Sequence, residues 1–366
     1  MTGRELEILN IIKENPLISQ EELAYILGIT RSGVAAHIHN LMRKGYIKGK
    51  GYVLSNIKFV TVIGGINIDI MGISSEKLID NNSNPGKITF ALGGSGRTIS
   101  LALTKLNVPN YLISVYGDDM NGEKFVNNSK ENNMDIQCCE RIPGEHTSSY
   151  LYIDDANGDK VIGIDDMDIY KKMTPTFIMK YIDRMNNSQY CIVDTNIPAE
   201  TIEYIYDHVS VPIIIKTTSI NKNLRFINSN QQIHTLITTP AELKELLLSY
   251  EEPYTNLESA VDYILSKNIS NVIVFSLKDG LYFKNNSDTF HFKKVPETIV
   301  NTNGASAVLI GAVIWGLQNS LEWEQVLRLA YTATLLSLKS NESVSPLLST
   351  YELISEEKRL FKKGKA

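Results

Sequence analysis

The sequence predicts an α/β protein: a central, mainly parallel sheet flanked by helices, a β-hairpin projecting from it as a lid, and a small helical head in front. Three observations carry this. From about residue 57 onward, short β-branched runs alternate with amphipathic helical stretches, the rhythm of a parallel sheet whose crossovers are helices. One segment breaks that rhythm: "SSYLYIDDANGDKVIGIDD" reads as two alternating strands around Asn157-Gly158, a hairpin turn signal. Charge is also unevenly placed. Residues 1–58 hold eight Lys and Arg against five Asp and Glu, while the whole chain holds 36 against 41, so a basic head precedes an acidic body. A length of 366 residues accommodates two domains, divided here into 1–56 and 57–366, with the lid near 147–166.

In the head, Leu6, Ile8, Leu9, Ile11 and Ile12 recur at helical spacing, and Pro16 ends that helix. Ser19 stands three residues before Glu22, a capping box that opens a second helix closed by Gly28. Thr30 caps a third, "RSGVAAHIHNLMRKG", and "YIKGKGYVL" then alternates around two glycines as a short hairpin wing. On the third helix Val34, Ile38 and Leu41 share an inward face, and Ser32, Ala36, His39, Asn40 and Arg43 lie opposite. This segment resembles the winged helix-turn-helix of bacterial regulators. The resemblance implies DNA as a partner. The third helix would enter the major groove with Ser32, His39 and Asn40, and Arg31, Arg43, Lys44, Lys48 and Lys50 would hold phosphates. A protein-interaction module with a solvated basic face is the alternative.

The body opens with "IKFVTVIGGINIDIMG", a strand running into a glycine turn, and continues through helix "RTISLALTKLN" and strand "PNYLISVYG". Strand "QYCIVDTN", helix "AETIEYIYDHV" and the strands "VPIIIKTT", "IHTLITT" and "NVIVFSL" follow. Near the end, "VNTNGASAVLIGAVIWGL" is a small-residue turn leading into an uncharged helix. Backbone N–H groups of Gly304, Ala305 and Ser306 are suited to hold an anion there, yet nothing in the stretch can take a proton. Its apolar run, 304–317, is too short to span a bilayer. The N-terminus has charges inside its apolar pattern and no signal-peptide cleavage site. Cys138, Cys139 and Cys191 have no metal-ligand spacing. The expectation is a cytoplasmic protein with reduced thiols, no membrane contact and no metal site of its own.

Four stretches occur in the order seen in PfkB-type, ribokinase-like sugar and nucleoside kinases: "GGINIDIMG", "PGKITFALGGSGRTISLALTKLNV", "TSSYLYIDDANGDKVIGIDDMDIYKKMTP" and "NGASAVLIGAV". The lid, "DDMDIY" and the late "SNESVSP" look most like pseudouridine kinases, some of which also carry an N-terminal winged helix. The resemblance implies transfer of the ATP γ-phosphoryl group to a ligand hydroxyl. It puts Asn67 and Asp69 on ligand hydroxyls, lets the backbone at Gly93 and Gly94 approach the ligand, and carries Arg97 and Thr98 in the same motif. It also implies a homodimer paired through the lids, which would present two winged helices to a palindromic site.

The chain departs from this pattern at several places. The catalytic aspartate falls on Ala307 and the glycine before it on Ser306. Thr98 replaces an asparagine. The N-x-x-E motif that orders magnesium and phosphate falls on Thr239-Pro240-Ala241-Glu242, so only Glu242 is kept. Phe275-Ser276-Leu277 replaces threonine-leucine-glycine, with Lys278 and Gly280 following, and Lys216 stands where related kinases carry an aspartate. The leading reading is a DNA-binding transcriptional regulator whose kinase-like body, a pseudokinase, senses a sugar or nucleoside. The second is an active kinase acting on pseudouridine or a related riboside, with ATP and magnesium as cofactors. The third is a structural interaction module.

Overall fold

The computed structural model describes residues 1–49, 58–156, 160–227, 232–293 and 299–362. Lys50, most of the expected wing, the junction at 56–57 and the Asn157-Gly158 turn lie outside them.

The head is built from helices α1 (Gly3–Glu14), α2 (Gln20–Leu27) and α3 (Arg31–Arg43). Each begins where a hydroxyl can take an otherwise unpaired backbone N–H. Thr2 and Ser19 form capping boxes with Glu5 and Glu22, and Thr30 accepts from Gly33. Val34, Ile38 and Leu41 pack with Ile8, Leu9, Ile12 and Leu23 into one small core. This is the arrangement the periodicity called for.

The body alternates strand and helix: β1 (Val60–Ile63), β2 (Asn67–Ser74), β3 (Gly86–Gly93), α4 (Ser95–Lys105), β4 (Asn110–Gly117), α5 (Met120–Glu131), β5 (Cys139–Ile142), β6 (Ser148–Asp154) and β7 (Lys160–Asp166). There follow α6 (Pro175–Met179), α7 (Ile182–Asn186), β8 (Cys191–Asp194), α8 (Ala199–His208), β9 (Ile213–Lys216), β10 (Ile233–Thr238), α9 (Pro240–Ser249) and α10 (Leu257–Leu265). The chain ends through β11 (Ile269–Ser276), β12 (Gly280–Asn285), β13 (Thr289–Phe292), α11 (Ala305–Gln318), α12 (Trp323–Leu338) and α13 (Thr350–Lys362).

Nine strands form the central sheet in the order β13-β12-β11-β10-β9-β8-β1-β4-β5. Pairing is parallel from β11 to β5, and β12 and β13 add an antiparallel edge. The inner strands β1, β8 and β9 are buried along their whole length, as a sheet covered on both faces requires. One apolar core under α4, α11 and α12 and a second under α8, α9 and α10 supply that cover.

The lid is larger than the expected hairpin. β6 and β7 do pair antiparallel, but β2 joins β6 in parallel and β3 joins β2, giving a four-stranded sheet β3-β2-β6-β7. A two-stranded hairpin alone is marginal in water, and two further strands give it a stable sheet.

Candidate functional site

Parallel α/β sheets bind ligands beyond the carboxyl ends of their strands. Here β1, β8 and β9 end side by side at Ile63, Asp194 and Lys216. Asp194 is fully buried and accepts 2.9 Å hydrogen bonds from the backbone N–H groups of Gly65 and Asn196. Burial raises its pKa, while those backbone bonds and the nearby Lys216 charge act the other way. It is a fixed anchor for the turn after β1 and is not among the cavity's lining residues.

A cavity of about 340 Å³ opens above these strand ends, between the central sheet and the lid. The lid contributes Asn67, Asp69, Tyr150 and Asp165. Register explains three of them: Asp69 pairs with Tyr150 and Tyr150 with Asp165, so one cross-strand row faces inward. Asn67, buried, donates to Asp69 Oδ1 at 2.5 Å. A carboxylate on this wall has the chemistry to accept from hydroxyl groups. The floor is Gly93, Gly94 and Thr98. A side chain at Gly93 would collide with the Asp69 carboxylate, and at Gly94, φ 92, a Cβ would strike the backbone of Gly65 and Ile66. The two glycines therefore serve the internal packing of the ligand wall as well as backbone approach.

The opposite wall holds Lys216 at the end of β9, Lys222 in the loop that follows, and Asn303, Gly304, Ser306 and Ala307 around the start of α11. Gly304 caps α11 in the left-handed region, φ 84, where its Cα sits against the Ser343 carbonyl, so the late "SNESVSP" loop fixes this turn. Ala305 is buried in the first turn and does not line the cavity. Ala307 does line it: a methyl group occupies the position assigned to the base.

Other expected site residues are elsewhere. Arg97 is buried but not among the lining residues; its guanidinium donates to the Leu92 carbonyl at 3.1 Å and to Asn128 Oδ1 at 2.5 Å. Burial pushes its pKa down to about 10, against the raising effect of Asp69 and Glu342. It braces the strand that carries the glycines rather than reaching a ligand. Glu242 is the closing member of a capping box on α9. Its carboxylate accepts from the Thr217 hydroxyl at 2.7 Å and from Thr239 through both N–H, 3.0 Å, and hydroxyl, 2.9 Å. Lys278 is exposed, and Gly280, φ 78, makes the turn between β11 and β12 against the Phe292 carbonyl. None of these three lines the cavity.

In the head, Arg31, Ser32, His39, Arg43 and Lys48 are exposed and Asn40 is half-buried, so the expected face of α3 is open to solvent. Lys44 is different from the expectation of a phosphate contact. Its ammonium lies 3.1 Å from the buried Glu5 and 3.0 Å from Asp183 of the body. Arg184 adds a 2.9 Å bond to the Arg43 carbonyl, so α7 grips the C-terminal end of α3. Burial pushes the thiols of Cys138 and Cys191 up to about 11 and about 12, so they are protonated at neutral pH.

Tyr150, Asp165, Lys222 and Asn303 were not singled out as ligand residues from sequence. Strand alternation running back from Asp165 through the hairpin is the signal that carried the first two.

Residues 57–349 match the pfkB family carbohydrate kinases, and residues 1–48 match a winged helix-turn-helix DNA-binding family. The chain belongs to the pfkB family. Its curated relatives include an uncharacterized sugar kinase of Escherichia coli, 30% identical over 357 residues that cover 97% of this chain and 99% of the relative. A pseudouridine kinase of the same organism is 27% identical over 302 residues, 81% of this chain and 96% of that one. Among solved structures, a putative ribokinase of E. coli in complex with ATP and Mg superposes with a TM-score of 0.71 at 17% identity, covering 83% of this chain and all of that one. A putative sugar kinase from Clostridium perfringens gives 0.68 at 22%, with coverages of 83% and 96%. A mostly parallel sheet of this topology is the ribokinase fold, and here a DNA-binding head of the winged type is joined to it. No helix among the described residues is long and apolar enough to cross a membrane.

Proposed function

We propose that this pfkB-family chain is a DNA-binding regulator whose body senses a sugar- or nucleoside-like molecule without phosphorylating it. One observation carries the reading: a single cavity combines an intact ligand wall, Asn67 and Asp69, with a methyl group, Ala307, where the family places its base. A positioned general base contributes about 10²–10⁴ in rate. The ATP side supports the same conclusion. Glu242 is enclosed in its capping box, Thr239 is that box's N-cap, and the β11–β12 turn is closed by Ser276 and Asp279 bonding to each other. These residues do not fit a nucleotide–magnesium group.

The lid supports a homodimer. Its face opposite the cavity carries Ile88, Phe90, Ile162 and Ile164, all more than half exposed. A two-fold pairing of these faces would set two heads for a palindromic operator.

The test is ADP release from purified protein with magnesium, ATP and a panel of pseudouridine, other nucleosides and sugars, for the native chain and Ala307→Asp. The expected result is no ligand-dependent turnover in the native chain and little in the variant, because positioning supplies most of phosphoryl-transfer catalysis. Ligand-dependent turnover near 1 s⁻¹, roughly the low end for kinases, overturns the sensing reading in favour of an active kinase. The second reading has one observation behind it, the Gly304–Ser306 turn at the cavity wall, which a phosphoryl transferase also needs.

A further inference from the structure

We propose that the molecule sensed brings its own phosphate: a phosphate monoester of a ribose-like sugar, with its hydroxyls on Asn67 and Asp69 and its phosphate between Lys216 and the first turn of α11. The inference rests on the sensing reading above and specifies its ligand.

The cavity is divided by charge. Its carboxylates, Asp69 and Asp165, both belong to the lid sheet, on β2 and β7. Its ammonium groups, Lys216 and Lys222, belong to the opposite wall. Lys222 already has an anion, Asp165 Oδ2 at 2.5 Å. Lys216 is only 9% exposed, at the very end of β9. Its Nζ donates to the Thr217 carbonyl, and among the described residues that carbonyl is its hydrogen-bond partner. An ammonium carries three N–H donors, so one carbonyl does not satisfy it. Asp194, paired with it in register on β8, interacts with it electrostatically, and its oxygens are engaged by backbone N–H groups. Asp194 balances the charge from behind, outside the cavity lining.

Burying a lysine beside a cavity is costly unless something answers it there. The same wall offers the start of α11, with Ser306 and Ala307 in its first turn and no acidic residue in that turn to compete with a bound anion. A carboxylate base at 307 would repel a phosphate already in place; a methyl group does not. A ligand that arrives phosphorylated needs neither nucleotide, nor magnesium, nor base. That accounts together for the capping-box use of Glu242, for Ala307 and for the retained turn at Gly304.

Lys216 has a simpler role open to it, as counter-charge to Asp194 alone. That role would not discriminate between ligands, and the experiment turns on this. Calorimetry on the full chain compares matched pairs: ribose with ribose 5-phosphate, uridine with its 5′-monophosphate, and pseudouridine with its 5′-monophosphate. In at least one pair the ester should bind about tenfold or more tighter than its parent, the scale of one charge-assisted contact. Lys216→Met should erase that advantage, read as the ester-to-parent affinity ratio within each pair. Ser306→Asp, which favours the start of a helix and so preserves α11, should erase it as well. Equal affinities in every pair, or an advantage that survives both substitutions, overturns the inference. Parents binding while esters do not leaves the sensing reading standing and removes this one. If no member of any pair binds while the protein still binds DNA, both fall.

Discussion

Phe90→Asp should convert a homodimer to monomer. β2, β3, β6 and β7 bring Ile70, Phe90, Leu151 and Ile164 into one cross-strand row, with Gly72, Ile88, Ile153 and Ile162 in the next. Alternation puts both rows on the side away from Asp69, Tyr150 and Asp165. Phe90 is 66% exposed and Ile88 70%. Complete burial of a phenylalanine side chain is worth about 1.5–3 kcal/mol, so covering the exposed two-thirds gives roughly 1–2. An isologous interface counts each substitution twice. The total is about 2–4 kcal/mol, or roughly 30- to 1,000-fold in the dimer constant, before the cost of burying the new carboxylate. Because Phe90 faces solvent in the single chain, the substitution should leave folding within about 0.5 kcal/mol. Sedimentation velocity from nanomolar to micromolar concentration reads the constant directly. A native chain that is monomeric at micromolar concentration refutes the reasoning. So does a Phe90→Asp variant that dimerises as tightly as the native chain.

Three further outcomes are expected. Arg43→Ala should weaken DNA binding across sequences and lower the salt-dependence slope by about one, since Arg43 is exposed on the open face of α3; gel shifts over a salt series check it. Thr239→Ala should cost about 1 kcal/mol in urea unfolding, because it removes the hydroxyl that caps α9 and bonds Glu242. The head–body contact should open in acid. Burial raises the carboxyls of Glu5 and Asp183, but bonds from the Thr2 backbone to Glu5, and from Lys44 to both, more than reverse this, leaving both below their ordinary values. Lowered carboxyl values mean a contribution complete at neutral pH and lost as pH falls through and below about 4. X-ray scattering should show expansion there, and Asp183→Asn should open the contact already at pH 7; a variant as compact as the native chain at neutral pH would contradict this.

Local chemistry was legible and distant partnership was not. The caps at Ser19 and Thr30 and the inward face of α3 follow from residues within a turn of one another. The β6–β7 hairpin carries its own turn signal. The rest of the lid does not: β2 meets β6 in parallel, Asn67 against Ser148, across two intervening βα units and β5. Ile88 and Phe90 read as ordinary strand residues although they face solvent. Arg97 sits beside the cavity-lining glycines in the chain, yet its guanidinium is held by the Leu92 carbonyl and by Asn128 on α5. Lys44 looks like part of a basic patch, yet Asp183 holds it. Glu242 is instructive in another way, because Thr-x-x-Glu is itself a capping-box pattern. The local reading was available there, and the kinase motif hid it.

Under the sensing reading, the absence of turnover and the head–body contact belong together. A ligand can move DNA affinity only by binding two arrangements of the protein unequally. The physical connection is short. α7 holds Lys44 and the Arg43 carbonyl at the end of α3 through Asp183 and Arg184. A few residues later the same chain runs into β8, which ends at Asp194, and Asn196 lines the cavity. Asn196 lies 3.4 Å from Lys222, which also meets lid residue Asp165 and Met167. These contacts make a continuous route from the lid to the strand that leads back to the head. Such coupling is reciprocal: whatever factor the ligand applies to DNA affinity, DNA applies to ligand affinity. Reciprocity holds only at equilibrium. A body that phosphorylated its ligand would consume the signal and uncouple the two sites at the rate of turnover. With Ala307 in place of a base, the occupied state lasts as long as the ligand stays bound, and the head can follow it.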